Sequence, residues 1–335
     1  MGVTAPSFAS LTTLRVGGTP AAAYECTSAE ELAETVAKLD RDQSPLLVVG
    51  GGSNLVVADG DLDLAAVLVR NEGILPIDDL RLPIQSGTEW DAVVAYAVEH
   101  GLGGIEALSG IPGSAGATPV QNVGAYGAEI ADVLTRVRLH NRETGVDEWA
   151  PASSLELAYR YSNLKFTSRA VVLEIELQLE KTDESIPLRH LGGARVPLAQ
   201  ARESVLETRR AKGMVLDASD HDTWSAGSFF TNPVVPSALA DEIAAHVGED
   251  AMPRFAAGDG KEKLSAAWLI ERAGCHRGFP GDDAPARLST KHTLALTNRG
   301  NASAADIVDL ARRVQAQVRD AFGVELHPEP VWVGL

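Results

Sequence analysis

Apolar positions along the chain follow two periods. Leu32, Val36 and Leu39 recur at helical spacing behind Ser28 and Glu31, a capping-box pair, so a helix is predicted to about Leu39. Pro45 to Val49 is a short apolar run that reads as a strand. It ends in Gly50-Gly51-Gly52-Ser53-Asn54, after which Leu55 to Ala58 and Ala65 to Val69 read as further strands. Thr88 to His100 is predicted to be a capped helix with Trp90, Val93, Val94 and Ala97 on one face, stopped by Gly101. Between Val171 and Leu179 the period changes to two, with Leu173, Ile175 and Leu177 on the face opposite Glu174, Glu176 and Gln178. This predicts a half-buried strand whose polar face meets water.

Pro197 suits a first helical turn and opens a helix to about Lys212, ended by Gly213. Another helix is expected from about Lys261 to Ala273, before Gly274. A last one starts at Ser303 with Asp306 and carries Ile307, Leu310, Ala311, Val314, Val318 and Phe322 before Gly323. The stretches Asp217 to Asp222 and Gly248 to Gly260 read as loops, the first marking a domain boundary. There is no internal repeat.

Composition narrows the function. The 335 residues are 45% apolar, enough for two or three domains with their own cores. The net charge of -17 repels phosphate backbones and anionic head groups, so nucleic acid and membrane partners are not expected. Cys26 and Cys275 are the sole cysteines and lie far apart, which argues against a disulfide framework or a metal centre and for a reducing cytoplasm. The segment Met1 to Leu14 lacks the basic start and apolar centre of an export signal, and no apolar run is long enough to span a membrane.

Two glycine-rich segments are candidates for chemistry. The GGGSN segment can form a nest of main-chain amides around a pyrophosphate, although by itself it also fits an ordinary tight turn. A dinucleotide fold of the usual kind opens a helix from its glycine loop, and here a strand follows instead. Ser109 to Gly127, SGIPGSAGATPVQNVGAYG, runs nineteen residues without a charge and holds five glycines and two prolines. A loop of that length needs partners for its backbone, so it either lines a ligand or is a structural connection.

Together the two segments resemble the FAD-binding domain of the vanillyl-alcohol-oxidase type. The ending QNVGAYG, with YRYSNLKF at Tyr159 to Phe166, AGSFFTNP at Ala226 to Pro233 and HPEP at His327 to Pro330, resembles one family over nearly the whole chain. That family is the UDP-N-acetylenolpyruvoylglucosamine reductases of bacterial peptidoglycan synthesis. The resemblance implies an α+β fold with a two-part FAD-binding domain, residues 1–72 joined by 324–335 and residues 73–211, plus a C-terminal α/β substrate-binding domain, 212–323. It implies a cytoplasmic, monomeric enzyme serving cell-wall biogenesis, and through it cell shape and division.

The implied reaction uses NADPH and FAD. Hydride passes from reduced flavin N5 to the β-carbon of UDP-N-acetylglucosamine enolpyruvate, and the α-carbon is protonated to give UDP-N-acetylmuramate. Charge then builds on the α-carbon and carboxylate, so the site needs a fixed cation, a donor to the carboxylate and an acid. By resemblance these are Arg160, Glu329 and Ser228. A buried position would raise the Glu329 pKa; residue chemistry alone does not choose Glu329 over Glu325. FAD is implied to lie on Gly50, Gly51, Gly52, Ser53, Asn54, Ile111, Pro112, Gly113, Gly116, Ala117, Thr118, Gln121, Asn122, Gly124 and Ala125. The substrate is implied to meet Tyr126, Tyr159, Arg209, Lys212, Asn232, Lys263 and His292.

Two departures stand out. Long-form members close a loop tyrosine on the substrate where this chain reads Leu188-Arg189-His190-Leu191, leaving His190 as a possible replacement. Many members also follow the glutamate with Val-Arg, whereas this chain has Pro330-Val331. A flavin oxidase of the same fold acting on an alcohol or sugar is an alternative, though no His or Cys motif for covalent flavin attachment is evident. A non-catalytic sensor of nucleotide sugars is another.

Overall fold

Ser28 caps the first long helix as its sequence predicts. Its hydroxyl accepts the Glu31 amide at 3.0 Å, and the helix runs Ala29–Arg41, somewhat beyond Leu39. The reciprocal half of the box is displaced by one residue, because the Glu31 carboxylate accepts from the Thr27 amide at 2.8 Å. The structure, a computed structural model, describes residues 5–248 and 252–335. Met1–Thr4 of the N-terminal segment and residues 249–251 of the Gly248 to Gly260 stretch lie outside them.

The chain divides into two units. Of the described residues, the first holds 5–7, Thr19–Gly52 and Asp61–Val215, and the second holds Phe8–Gly18, Ser53–Gly60, 216–248 and 252–335. The chain therefore passes between units inside GGGSN. Strand, loop, strand is the observed order there, but Leu46–Val49 joins a sheet of the first unit and Leu55–Val57 pairs in parallel with Val331–Val333 of the second.

In the first unit, Asp61–Val69 is the central strand of a three-stranded parallel sheet, flanked by Thr19–Cys26 and Leu46–Val49. The helix Ala29–Arg41 buries Leu32, Val36 and Leu39 in one cluster with Val67, Val69, Val171 and Leu173. A second, antiparallel sheet has the order Asp147–Pro151, Leu134–Asn141, Ala170–Gln178, Arg81–Gln85. One side of it packs with Trp90, Val93, Val94, Ile105 and Leu108. Burying each such aliphatic side chain stabilises the fold by about 1.5–3 kcal/mol.

The polar face of Ala170–Gln178 does not simply meet water. Glu176 is 4% exposed and accepts from Arg136 Nη2 at 2.7 Å and the Thr135 hydroxyl at 3.0 Å, while Glu174 accepts from Arg138 at 2.7 Å. Burial pushes the Glu176 carboxyl up, but Arg136 and Thr135 outweigh it and leave the pKa below the usual range.

The helix Trp90–Glu99 has no side-chain cap. Thr88 instead accepts the Gly73 amide at 3.0 Å, which corrects the expected capped start. The helix Leu198–Ala211 follows Pro197, and Gly213 turns left-handed after it, as the sequence predicts. The uncharged stretch holds a single 3-10 turn, Ala115–Ala117, and a two-residue pairing of Gly124–Ala125 with Ala128–Glu129.

In the second unit, Lys261–Leu264 is not helical. It is the middle strand of an antiparallel sheet with Val234–Pro236 and Arg254–Ala256, and the helix expected there is only Ala266–Arg272. The cross-strand partners override the local helical preference. Arg254–Ala256 likewise lies within a stretch expected as loop. The hairpin Ala286–Leu288 and Leu296–Asn298 packs Leu288 and Leu296 in the core with Phe229, Phe230 and Leu269. Helix Ala304–Phe322 adds Ile307, Leu310, Ala311, Val314 and Val318, and its box of Ser303 with Asp306 is complete. No helix among the described residues is long and apolar enough to cross a membrane.

Candidate functional site

The glycines of the two loops meet within the first unit. A Cβ on Gly51 would lie 2.6 Å from Gly113 Cα, and one on Gly50 would collide with the Ser114 hydroxyl. A Cβ on Gly116 would strike Ser86, 3.0 Å from its Cα. The two loops therefore approach too closely at these positions for any residue larger than glycine. Ile111, Pro112, Gly113, Gln121 and Ala125 are half-buried and Ala117 is exposed. The buried Thr118 hydroxyl donates to the Ala115 carbonyl at 2.7 Å. Asn122 donates to Glu129 at 2.8 Å and the Ala158 carbonyl at 3.0 Å, and accepts the Ala131 amide at 3.1 Å. These two side chains hold the loop together.

Two motifs distant in sequence join here. Besides the bond from Asn122 to Ala158, Ser162 donates to the Val120 carbonyl at 2.5 Å, and Arg160 Nη2 donates to the Gly124 carbonyl at 2.7 Å. Arg160 sits in a turn closed by Ala158 and Tyr161 with a left-handed φ of 54°, and Tyr126, in the uncharged loop, has a φ of 52°. Such backbone costs roughly 1–3 kcal/mol at a non-glycine residue and persists where the surroundings enforce it. The Arg160 guanidinium also lies 5.4 Å from the centre of the Tyr159 ring, which is exposed.

Tyr126 is ringed by cationic and polar groups. His190 meets its ring edge-on at 4.7 Å, Lys212 Nζ lies 6.0 Å from its centre, and Arg209 is near enough to favour its ionised form. Burial still prevails and pushes the phenol pKa up. The Arg209 guanidinium is enclosed: Nη2 donates to the Met214 carbonyl at 2.7 Å, and Nε is covered without a hydrogen-bond partner. Burial pulls the Arg209 pKa down. His190 Nε2 lies 2.8 Å from the Ser204 hydroxyl, and its pKa is lowered by burial and then by Lys212.

In the second unit, the segments that carry Ser228 and Glu329 are paired. Glu329 N–H donates to the Phe229 carbonyl at 2.9 Å, Thr231 N–H donates to the His327 carbonyl at 3.1 Å, and Phe230 bridges Pro328 antiparallel. AGSFFTNP and HPEP thus run side by side, with Phe229 opposite Glu329 and Ser228 next to it. Asn54 joins them, accepting the Val331 amide at 2.9 Å and donating to the Glu329 carbonyl at 3.5 Å. Ser53 is the first residue of the same segment. Glu329 is half-buried, whereas Glu325 is exposed and paired with Arg319 at 3.7 Å.

Asn232 accepts the Ala266 amide at 2.9 Å, and the Leu264 amide bonds Pro233 at 2.9 Å, which brings Asn232 near Lys263. His292 lies in the hairpin whose Leu294 carbonyl accepts the Phe229 amide at 2.8 Å. Asp91, which accepts the Gly110 amide at 2.6 Å, and Arg202, which donates to Asp91, were not apparent from sequence. Each reads as an ordinary charge on an amphipathic helix.

Residues 20–146 match the family described as FAD binding domain. The α+β fold and its paired glycine loops therefore define a flavoprotein with an FAD-binding domain and a separate C-terminal domain. Residues 218–333 match the C-terminal domain of UDP-N-acetylenolpyruvoylglucosamine reductase. The UDP-N-acetylenolpyruvoylglucosamine reductase of Corynebacterium glutamicum (strain R) is 59% identical, covering 98% of this chain and 93% of its own. That of Mycolicibacterium smegmatis is 50% identical over 97% and 94%. The chain belongs to the UDP-N-acetylenolpyruvoylglucosamine reductase family, FAD-dependent oxidoreductases of peptidoglycan synthesis. A crystal structure of that reductase from Thermus caldophilus shares the fold, with a TM-score of 0.66 at 24% identity over 98% of this chain and 97% of that one.

Proposed function

We propose that this chain is a UDP-N-acetylmuramate dehydrogenase, which reduces UDP-N-acetylglucosamine enolpyruvate to UDP-N-acetylmuramate with NADPH as electron source. The observation that carries the reading is the antiparallel pairing of the Ser228 and Glu329 segments, which are remote in sequence. Bound between the glycine segments, FAD would supply the hydride chemistry, with NADPH as the electron source and the β-carbon of the enolpyruvyl ether as the acceptor. Arg160 balances the charge that builds on the substrate carboxylate, and a guanidinium suits that planar group. Glu329, protonated, donates a hydrogen bond to the same carboxylate. Ser228 gives its proton to the α-carbon, completing addition of one hydride and one proton across the double bond.

The glycine segments, from Gly50 to Asn54 and from Ile111 to Ala125, hold the flavin. Tyr126, Tyr159, Arg209, Lys212, Asn232, Lys263 and His292 hold the UDP-sugar, and Arg209 and Lys212 supply the positive charge that an anionic ligand needs on an acidic protein. In this reading residues 1–72 with 324–335, and 73–211, form the two FAD-binding parts and 212–323 the substrate domain. The enzyme acts as a cytoplasmic monomer. Incubating purified protein with NADPH and the enolpyruvyl UDP-sugar tests this: mass spectrometry should find a product heavier by one H2. Intact substrate at the end would reject it.

A further inference from the structure

Trp90 and Asp91, at the start of helix Trp90–Glu99, grip the uncharged loop at two places and the residue just before it at a third. Trp90 Nε1 donates to the Leu108 carbonyl at 3.3 Å, Trp90 N–H donates to the Gly113 carbonyl at 3.0 Å, and Asp91 Oδ1 accepts the Gly110 amide at 2.6 Å. The Asp91 carboxylate also takes both arms of Arg202, Nη1 at 2.6 Å and Nη2 at 2.8 Å. Arg202 belongs to helix Leu198–Ala211, whose end carries Arg209 and Lys212. That helix presses on the same point of the loop. Gly110 has a φ of +69°, and a Cβ there would lie 2.7 Å from Leu206 Cδ2 and 3.1 Å from Val215 Cγ2. One carboxylate thus ties two helices and the start of the loop into a single arrangement, with the charge-assisted, bidentate geometry that best fixes position. Burial pushes the Asp91 carboxyl up, yet Arg202 and the Gly110 amide more than offset this and keep it below the usual range.

We propose that Asp91 and Arg202 are a positioning pair for the flavin: Asp91 fixes Gly110, and with it the register of the loop that receives FAD, while Arg202 fixes Asp91. The inference rests on the reading of Ile111 to Ala125, the segment that follows Gly110, as flavin-binding. Neither residue touches the reacting atoms.

The test uses apoprotein, stripped of flavin and titrated with FAD while flavin fluorescence is followed. Asp91→Ala leaves the Gly110 amide unanswered and should weaken FAD binding by about tenfold or more. Asp91→Asn keeps an acceptor for Gly110 but loses the ion pair, and should fall between Asp91→Ala and the natural protein. The exchange Asp91→Arg with Arg202→Asp separates positioning from bulk stability. It restores an ion pair and should recover much of the thermal stability, but arginine has no acceptor for Gly110, so FAD affinity should stay low. Unchanged affinity in Asp91→Ala, or full recovery of affinity in the exchanged pair, overturns the proposal. Failure of the natural protein to bind FAD would instead reject the functional reading beneath it.

Discussion

The amide of Glu329 donates to the carbonyl of Phe229 at 2.9 Å, so the residue after Ser228 is bonded directly to the proposed carboxylate donor. Main chain pairs the two segments, and either side chain can be replaced without removing that bond.

Replacing Ser228 by alanine should separate the two halves of the reaction. Reduction of bound flavin by NADPH should keep its rate, while reoxidation by the enolpyruvyl substrate should slow by about 10²–10⁴, the usual worth of a positioned acid. Stopped-flow absorbance under anaerobic conditions measures both. Equal slowing of the two halves would contradict the assignment.

His190 should make the fold sensitive to mild acid. Its folded pKa lies below the ordinary value, by burial first and Lys212 second, so the folded protein resists the proton that the unfolded chain accepts. Its contribution is complete above about pH 6.5 and is lost as pH falls from there toward the folded value. The melting temperature should decline over that interval. His190→Gln should remove part of the decline, and an identical pH profile in the variant would refute the role.

Neither cysteine should react in the folded protein. Burial pushes the Cys275 thiol to about 11 and raises that of Cys26, so both stay protonated and covered near neutral pH. A thiol-reactive disulfide reagent should label neither in the native state and both after unfolding in denaturant. Rapid labelling of either native residue would contradict their enclosure.

Asp59 should stabilise the longest helix. Its carboxylate accepts the Ala304 amide at 2.9 Å and the Ala305 amide at 3.1 Å, beside the Ser303 and Asp306 box. Asp59→Ala should destabilise the protein by about 1–2 kcal/mol in urea unfolding. Asp59→Asn should cost less, since it keeps one acceptor.

The sequence made the local signals legible where one residue type answers one need. Ser303 with Asp306 capped a helix as expected, Gly213 ended one, and the charge-free stretch from Ser109 marked a loop built of backbone. Lys261 to Leu264 misled because its hydrogen bonds come from Val234–Pro236 and Arg254–Ala256, which local propensity does not see. Glu176 misled for a similar reason: the two-residue period identifies its face, but Arg136, the residue that covers it, is distant in sequence. Asp91 carried no signal, since a carboxylate in a first helical turn is already accounted for by the helix dipole. Among the candidate site residues, Asn54, Ser228 and Glu329 came from motif resemblance. The pairing of their segments is a matter of tertiary structure, which spacing along the chain does not encode.

The most direct test of the account follows flavin absorbance in purified protein held without oxygen. NADPH should bleach the yellow colour, and one equivalent of UDP-N-acetylglucosamine enolpyruvate should restore it. Bleaching that the enolpyruvyl sugar does not reverse would contradict the proposed reaction, and a protein with no flavin to bleach would contradict the cofactor itself.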